Sequence, residues 1–245
     1  MSASKRPICG YVIYDGPSAI DGERIIAVVT GIRGSRNTKT GKMVQTYIIR
    51  PDMHPVQAVK TGADRSICGN CVHRGDGTGN GRSCYVTLIH GPAVVYKSYA
   101  RGIYPLASPE AVADVVAGKM VRLGTYGDPA AVPIAVWEAL ISKAAGWTGY
   151  THQWRTAAAG WSRLVMASAD TLSDAKDAWL RGYRTFRVAQ SATKGREINC
   201  PASEEAGKRT QCAACKLCMG STSGSPVSIQ IAPHGAGAKH FEVAA

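Results

Sequence analysis

The sequence predicts an α/β protein built on a parallel sheet, and two observations support this prediction. The chain has 245 residues, 45% of them hydrophobic, which is enough for one sizeable core. From Met120 onward, short apolar runs alternate with segments of helical periodicity. This alternation is typical of a parallel sheet that is either open or rolled into a full or partial (β/α) barrel. We expect a β-rich N-terminal segment (1–60), an α/β core (61–199) and a Cys-rich metal-binding segment with the last strand (200–245).

Local composition predicts the individual elements. Two β-branched runs predict strands at 25–30 and 47–50 in the N-terminal segment. In the core, an apolar run that ends in glycine predicts a strand at 121–127, and Pro133 suits the first turn of the amphipathic helix that follows. Gly182 suits the end of a second helix. The remaining predicted elements are strands at 147–151, 164–168, 184–189 and 227–231, and helices at 132–145 and 171–181.

Polar side chains follow most of the predicted core strands. Because the carboxyl ends of parallel strands meet at the same edge of a sheet, we expect these side chains to surround a ligand site. Each could also be an ordinary loop residue, so the argument rests on their repeated placement. They are Thr125, Tyr126 and Asp128 after the first strand, His152 and Gln153 after the second, Ser168 and Asp170 after the third, Gln190 after the fourth and His234 after the last.

Seven of the eight cysteines fall into two groups whose spacing is typical of metal ligands. In the first group, a CxxC pair is separated from a third cysteine by a glycine-rich stretch, which can wrap a metal group closely. The second group is a Cys-Pro pair followed by CxxCxxC. Cys9 stands alone and is expected to be a small buried hydrophobe. The first group is Cys68, Cys71 and Cys84, and the second is Cys200, Cys212, Cys215 and Cys218.

The number of thiolates bears on what each group can do. Four thiolates close a metal site, whereas three on an iron–sulfur cluster leave one iron free to bind a reactant. At the first group the spacing alone favours zinc, with His73 or His90 as a fourth ligand. At the second group, a structural zinc and an iron–sulfur cluster both remain open.

Charge and hydropathy indicate the partner and the compartment. The formal net charge of +12 favours a polyanionic partner, nucleic acid before a membrane, although a merely basic surface is the plain alternative. No apolar run reaches about 18 residues, and the N-terminus lacks the apolar stretch of a signal peptide. We therefore expect a cytoplasmic protein without a membrane partner. In that reducing compartment the cysteines indicate metal ligands and not disulfides.

Several of these segments, taken in their order along the chain, resemble a known family. They are the Cys84-Tyr85 pair, the run Val121–Pro129, the helix bearing Trp137, the run Thr148–His152, and Cys200-Pro201 leading into the last three cysteines. Together they resemble a divergent group of phage-encoded radical S-adenosylmethionine proteins, over about residues 65–235.

The resemblance implies a partial (β/α) barrel that holds a 4Fe-4S cluster, with S-adenosylmethionine on the open iron. The cluster ligands would be Cys68, Cys71 and Cys84. Here a CxxC pair and twelve residues precede the third cysteine, whereas the common family spacing is CxxxCxxC. The four later cysteines would hold a second 4Fe-4S cluster or zinc. Gly127-Asp128 would take the part of the motif that holds the methionine amino group, and the residues expected to line the same pocket are Thr125, Tyr126, His152, Ser168 and Asp170.

The resemblance also implies a reaction and its partners. Such proteins take part in the hypermodification of phage DNA, which evades host restriction in the host cytoplasm. The most concrete candidate is isomerisation of an aminoacyl-modified thymidine. Reductive cleavage of S-adenosylmethionine needs an electron at low potential, so an electron donor such as flavodoxin or ferredoxin is an implied partner. The basic charge suits DNA, with a flipped base at the barrel mouth and phosphates on Arg74, Arg82, Lys97, Arg101 and Arg155.

Two alternatives from other classes stay open. A non-catalytic, zinc-stabilised nucleic-acid-binding protein would be colourless and would not need S-adenosylmethionine. An iron–sulfur enzyme that acts on a small nucleobase precursor would bind DNA weakly at physiological salt, because its charge would be incidental.

Overall fold

The computed structural model describes residues 7–34, 38–158, 160–235 and 237–241. The N-terminal residues, which bear on the signal-peptide prediction, lie outside these ranges. The described chain is a mixed α/β structure with an N-terminal mixed sheet and a second, all-parallel sheet. The strands are β1 (Gly10–Pro17), β2 (Arg24–Thr30), β3 (Val44–Ile49), β4 (Met120–Tyr126), β5 (Gly146–Thr148), β6 (Tyr150–Thr151), β7 (Met166–Ala169), β8 (Thr185–Val188), β9 (Glu197–Asn199) and β10 (Ser228–Ile231).

The helices are short, and several begin at a residue whose side chain caps the first turn. The Ser108 hydroxyl accepts from the Ala111 N–H, and Thr171 and Asp174 form a reciprocal capping box. The α-helices are α1 (Pro55–Lys60), α2 (Arg65–Cys68), α3 (Gly91–Ala100), α4 (Pro109–Val115), α5 (Ile134–Ile141), α6 (Trp161–Leu164), α7 (Leu172–Leu180) and α8 (Cys212–Cys215). Short 3-10 helices cover Val72–Arg74, Pro129–Ala131, Gln153–Arg155, Gly220–Ser223 and Ala238–His240.

The N-terminal sheet has the strand order β1-β2-β3-β4-β5. The interior of β2, Ile25–Val29, is fully buried, as expected for a strand paired on both sides. It runs antiparallel to β1 and β3, whereas β3, β4 and β5 run parallel to one another. Helices α1 to α4 lie between β3 and β4 in the chain, and they provide the crossover that parallel neighbours require.

The second sheet has the order β6-β7-β8-β10-β9, and all of its strands are parallel. One residue, Gly149, separates β5 from β6, so the chain passes directly from one sheet to the other. To close the two sheets into a barrel, β1 at the edge of the first sheet would have to pair with β9 at the edge of the second. No ladder between described residues joins these two strands. No closed barrel is seen in this part of the chain, so the expectation of a full barrel is not met. Closure would also require β5 and β6 to share a ladder, but they belong to separate hydrogen-bonded sheets.

The predicted strands of the core all occur, with modest shifts of their ends. The strand predicted at 147–151 is broken at Gly149, whose N–H donates to the Cys218 carbonyl at 3.2 Å. The helix predicted at 132–145 is shorter, because Pro133 lies at its N-cap and Ser142 at its C-cap. The sequence analysis missed β1, β9 and helices α1 to α4, α6 and α8, although proline near the start of α1 and α4 is a recognisable signal. Cys9 is exposed just before β1, so the prediction that it is buried is wrong.

No helix among the described residues combines the length and apolar character that a membrane span requires.

A buried ion pair links β8 and β9, the two strands that flank β10 in the second sheet. Arg187 in β8 donates to both carboxylate oxygens of Glu197 in β9, at 2.9 and 2.5 Å, and the Glu197 side chain is 0% exposed. The Thr193 N–H also donates to this carboxylate. Burial alone would raise the pKa of Glu197, but the hydrogen bonds from Arg187 and Thr193 outweigh it and hold the pKa below its ordinary value.

We predict that Glu197→Gln lowers the free energy of unfolding by roughly 3–5 kcal/mol, because it leaves the Arg187 guanidinium buried without its counter-charge. Because the folded pKa of Glu197 is depressed, its contribution is present above the unfolded pKa of about 4.3 and is lost as the pH falls through the folded value. Urea denaturation of both chains at neutral pH measures the difference. Glu204→Gln, which removes an exposed partner of Lys208, is the matched control and should change little. Equal losses in the two variants would contradict the prediction.

Candidate functional site

A cavity of about 390 Å³ lies at the carboxyl ends of the parallel strands. Its lining includes residues at or just after the ends of β4, β6, β7, β8, β9 and β10, so both sheets contribute to it. This is the position at which parallel strands place functional side chains. All seven clustered cysteines line it, namely Cys68, Cys71, Cys84, Cys200, Cys212, Cys215 and Cys218.

The predicted cofactor residues Thr125, Tyr126, Gly127, Asp128, His152, Ser168 and Asp170 line the same cavity. Gln153 lies beside it, and its side-chain amide donates to the Cys68 carbonyl at 3.4 Å. His234 belongs to the lining as well, and its ring stacks on Tyr85 with the ring centroids 5.3 Å apart. The structure therefore brings together most of the polar residues that the sequence analysis placed at the ends of strands.

The turn after β4 depends on two glycines. Gly124 and Gly127 have φ angles of 68° and 84°, in the left-handed region that favours glycine. A Cβ atom at Gly127 would lie 2.7 Å from the Cβ atom of Ile48, so a larger residue has no room. The close approach of this turn to β3 places Asp128 at the base of the cavity, and the Asp128 N–H donates to the Ile67 carbonyl at 2.6 Å.

The Asp128 carboxylate ties the ends of two strands together. One oxygen accepts from the Ala130 N–H at 2.9 Å and the other from the His152 N–H at 2.8 Å. Burial raises the pKa of Asp128, although hydrogen bonds to Thr151, Ala130 and His152 oppose this shift. Asp128 therefore has a structural role, and a ligand amino group would have to use the remaining lone pairs of the same carboxylate.

Tyr126 carries an unpaired polar atom. The residue is 3% exposed, and its hydroxyl oxygen has no hydrogen-bond partner among the described residues. Burial raises the pKa of Tyr126 well above its ordinary value, and the neighbouring Cys68 and Asp64 add to this shift. The hydroxyl therefore lies close to the first cysteine group. Leaving a buried hydroxyl unpaired costs roughly 1–3 kcal/mol, so a ligand atom in the cavity would be a favourable partner.

Backbone hydrogen bonds bring the chain segments that carry the first cysteine group close together. Cys68 is the last residue of α2, and the Cys71 N–H donates to the Cys68 carbonyl at 3.4 Å. The glycine-rich loop then returns the chain, so that the Cys84 N–H donates to the His73 carbonyl at 3.1 Å. Burial raises the pKa of Cys68 well above its ordinary value, and the nearby thiols of Cys71 and Cys84 contribute. A cation or metal would favour the thiolate forms that this environment disfavours.

The second cysteine group surrounds the other side of the cavity. Cys200 follows β9, and its N–H donates to the Gln230 carbonyl at 2.8 Å. Cys212 and Cys215 are the two ends of α8. The pKa of Cys218 is raised to about 12, chiefly by burial and also by the three other thiols of the group. A hydrogen bond with Tyr150 acts in the opposite direction and lowers it. The four thiols are therefore within electrostatic range of one another.

The thiols are more widely spaced than one zinc ion requires. Four thiolates about 2.3 Å from a single zinc would lie about 3.8 Å apart at tetrahedral angles. Among the described residues, no three thiol sulfurs lie within 4.8 Å of one another. Any metal group held by either set of cysteines therefore has to be larger than a single ion or to draw the sulfurs closer.

A different group of side chains is close enough for a single metal ion. His73, His152 and Asp170 each offer one ligand atom, and these atoms lie within 4.8 Å of one another. The His152 Nε2 atom is 3.2 Å from Asp170 Oδ1, and the His73 Nε2 atom is 3.7 Å from the same oxygen.

Of the two histidines considered as a fourth ligand for the first cysteine group, His73 lines the cavity, whereas His90 lies exposed at the start of α3.

The cations predicted to contact DNA occupy two kinds of position. Arg74 and Arg82 line the cavity, whereas Lys97, Arg101 and Arg155 are exposed outside it. The Arg74 guanidinium donates to the Asp64 carboxylate at 2.6 and 3.0 Å and to the carbonyls of Gly62 and Gly69. A phosphate would have to compete with these bonds. The exposed cations are the better placed for DNA backbone contacts.

Sequence reasoning missed Arg122 and Tyr150. Arg122 lies within β4 and lines the cavity, and its guanidinium donates to the Tyr85 hydroxyl. A charged residue between apolar neighbours in a central strand was the available signal, because such a residue needs a polar interior to face. Tyr150 gave no comparable signal, since aromatic residues are common in strands.

Comparison of the chain with protein-family models, curated proteins and solved structures gives no match.

Proposed function

We propose that this protein is an iron–sulfur, S-adenosylmethionine-dependent radical enzyme that modifies a base in phage DNA. One observation carries the proposal: both cysteine groups line the cavity at the carboxyl ends of the parallel strands. A redox cluster that acts on a substrate has to lie beside the substrate cavity. A zinc site that only stabilises the fold has no such requirement.

The residues around the first group suit a cluster and its ligand. Cys68, Cys71 and Cys84 provide three soft donors, and the buried Tyr126 hydroxyl beside them has no hydrogen-bond partner in the described part of the chain. When bound, a 4Fe-4S cluster would supply the low-potential electron for reductive cleavage of S-adenosylmethionine, with flavodoxin or ferredoxin as the class of donor. We assign the ligand amino group to Asp128 and the rest of the pocket to Thr125, Tyr126, Gly127, His152, Ser168 and Asp170.

The chain's own residues would prepare this pocket in two ways. Thr125 donates its hydroxyl to the Gln45 side chain at 2.8 Å, and this bond fixes the end of β4 against β3. Asp128, held by two backbone N–H groups, is oriented before any ligand binds. Such preorganisation lowers the cost of ordering side chains around a ligand.

The remaining parts of the proposal concern the fold and the second site. We interpret the two sheets, which meet at Gly149, as a partial (β/α) barrel that opens toward the cysteines. Cys200, Cys212, Cys215 and Cys218 would hold a second 4Fe-4S cluster or, if their sulfurs move closer, zinc. Because a four-ligand site forms only in the folded chain, the metal there would add to folding stability.

The proposed substrate class rests on charge. A net charge of +12 suits a polyanion, and a base flipped out of DNA would reach the cofactor at the mouth of the cavity. The most concrete reaction remains the isomerisation of an aminoacyl-modified thymidine. The exposed Lys97, Arg101 and Arg155 would contact phosphates, and the cavity-lining Arg74 and Arg82 would lie nearer the base.

The test is anaerobic purification followed by an absorption spectrum and counts of iron, sulfide and zinc. We expect a brown protein with about four irons and four sulfides at the first group, together with either a second such set or one zinc. A Cys68→Ser/Cys84→Ser variant should lose one complete set and keep the other. A colourless protein that contains zinc alone would instead support a zinc-stabilised nucleic-acid-binding protein and would end the proposal.

A further inference from the structure

We infer that His73, His152 and Asp170 form a binding site for a first-row divalent cation that shares no ligand with either cysteine group, although Cys71 interacts with His152. The inference goes beyond the proposed function and does not depend on an iron–sulfur cluster. It rests on the positions of three side chains from separate segments: the 3-10 helix Val72–Arg74, the residue after β6 and the residue after β7.

The distances between the ligand atoms fit a single ion. With nitrogen and oxygen ligands about 2.1 Å from the metal, neighbouring ligand atoms lie about 3.0 to 3.4 Å apart at angles between 90° and tetrahedral. The observed separations from Asp170 Oδ1 are 3.2 Å to His152 and 3.7 Å to His73. The remaining pair, between the two imidazole nitrogens, lies within 4.8 Å, so a modest movement of the His73 ring would bring the three atoms onto one ion.

The orientation of His73 has the support that metal-binding histidines usually have. Its Nδ1 atom lies 2.8 Å from the Ser83 hydroxyl, which directs Nε2 toward Asp170. The ring also stacks on Phe241, with centroids 6.0 Å apart. This packing and hydrogen bond restrict the ring, so less freedom is lost when a metal binds.

The three side chains also line the cavity, so the ion would keep open positions toward a ligand. Two imidazoles and one carboxylate with open positions are the donor set of catalytic zinc and of non-haem iron sites. A cation held there would bind an oxygen or nitrogen atom of the molecule in the cavity. The proposed function places His152 and Asp170 near the cofactor, and the metal site would give these two side chains a more specific task.

A plain hydrogen bond between His152 and Asp170, with His73 as a neighbour, is the competing interpretation. It predicts no selective metal affinity. The two interpretations therefore differ in a quantity that can be measured on the purified full-length chain.

The experiment is a titration of the metal-free, reduced chain with Mn²⁺ alone, followed by electron paramagnetic resonance of the free ion. Mn²⁺ prefers nitrogen and oxygen donors and disfavours thiolates, so the cysteines should not compete. We expect one equivalent to bind. His73→Ala and Asp170→Asn should each weaken binding by at least about tenfold, and Ser83→Ala, which keeps all three ligands, should weaken it by about tenfold.

Two controls make the outcome specific. His234→Ala removes another histidine of the same cavity and should leave binding unchanged. Cys68→Ser/Cys84→Ser should also leave it unchanged, which separates this site from the proposed cluster. Circular dichroism shows whether each variant is folded. The inference is wrong if the native chain binds no Mn²⁺, or if folded His73→Ala and Asp170→Asn chains bind as well as the native one.

Discussion

Replacing Cys68 or Cys84 by alanine should abolish the reductive cleavage of S-adenosylmethionine. The three thiolates of the first group together would hold the cluster, so the loss of one would leave it incompletely ligated. The measurement is 5′-deoxyadenosine formed by the anaerobic protein with a chemical reductant. Cys71→Ala should have the same effect, but Cys71 also interacts with His152 and helps to raise its pKa, so its loss is less specific.

The matched control for these variants is Cys9→Ala. Cys9 is the exposed cysteine outside both groups, and its replacement should leave cleavage unchanged. Asp170→Asn provides a second comparison, because it should lose the divalent cation and keep the iron of the first group. Full cleavage by a zinc-only or metal-free preparation would overturn the assignment of Cys68, Cys71 and Cys84.

The second large effect concerns the substrate. We expect product from modified phage DNA and little or none from the free modified nucleoside, because phosphate contacts would supply most of the affinity. Binding should weaken steeply as salt increases, with similar affinity for modified and unmodified DNA and turnover only on the modified base. Product analysis after nuclease digestion compares the two substrates directly.

Variants of the exposed cations sharpen this prediction. Arg101→Ala should lower the salt dependence of DNA binding by about one counterion, because the residue is exposed on the protein surface. The Arg155 Cζ atom lies 3.9 Å from the centroid of the Trp154 ring, and its Nη2 atom lies 2.6 Å from Asp174 Oδ1. Because this guanidinium already has protein partners, Arg155→Ala should have a smaller effect. Equal turnover of the free nucleoside, with no DNA retained at low salt, would favour an enzyme acting on a small nucleobase precursor.

Part of the fold could be predicted from the sequence because it depends on local patterns. The apolar runs of β4, β7, β8 and β10 and the periodicity of α5 and α7 are visible in short windows. Helices α1 to α4 were missed because they lie in a stretch whose hydrophobic pattern is weak. The absence of a closed barrel in the described residues follows from the lack of a ladder between β1 and β9, which lie far apart in the sequence, and such long-range pairing is not a local property.

For the candidate site too, some features could be predicted from the sequence and others depend on the tertiary structure. The sequence by itself determined the CxxC pairs and the polar residues after the strands, since a turn or a strand end fixes the positions of near neighbours. Only the tertiary structure decided that both cysteine groups line one cavity and that His73 lies 3.7 Å from Asp170, almost a hundred residues later in the chain. Only the tertiary structure shows that Arg122 lines the cavity and that the Tyr126 hydroxyl has no hydrogen-bond partner among the residues described. The physical reason is that contacts between residues far apart in the sequence require long loops to close. The entropic cost of closing these loops is offset by packing of the whole core and not by any local sequence.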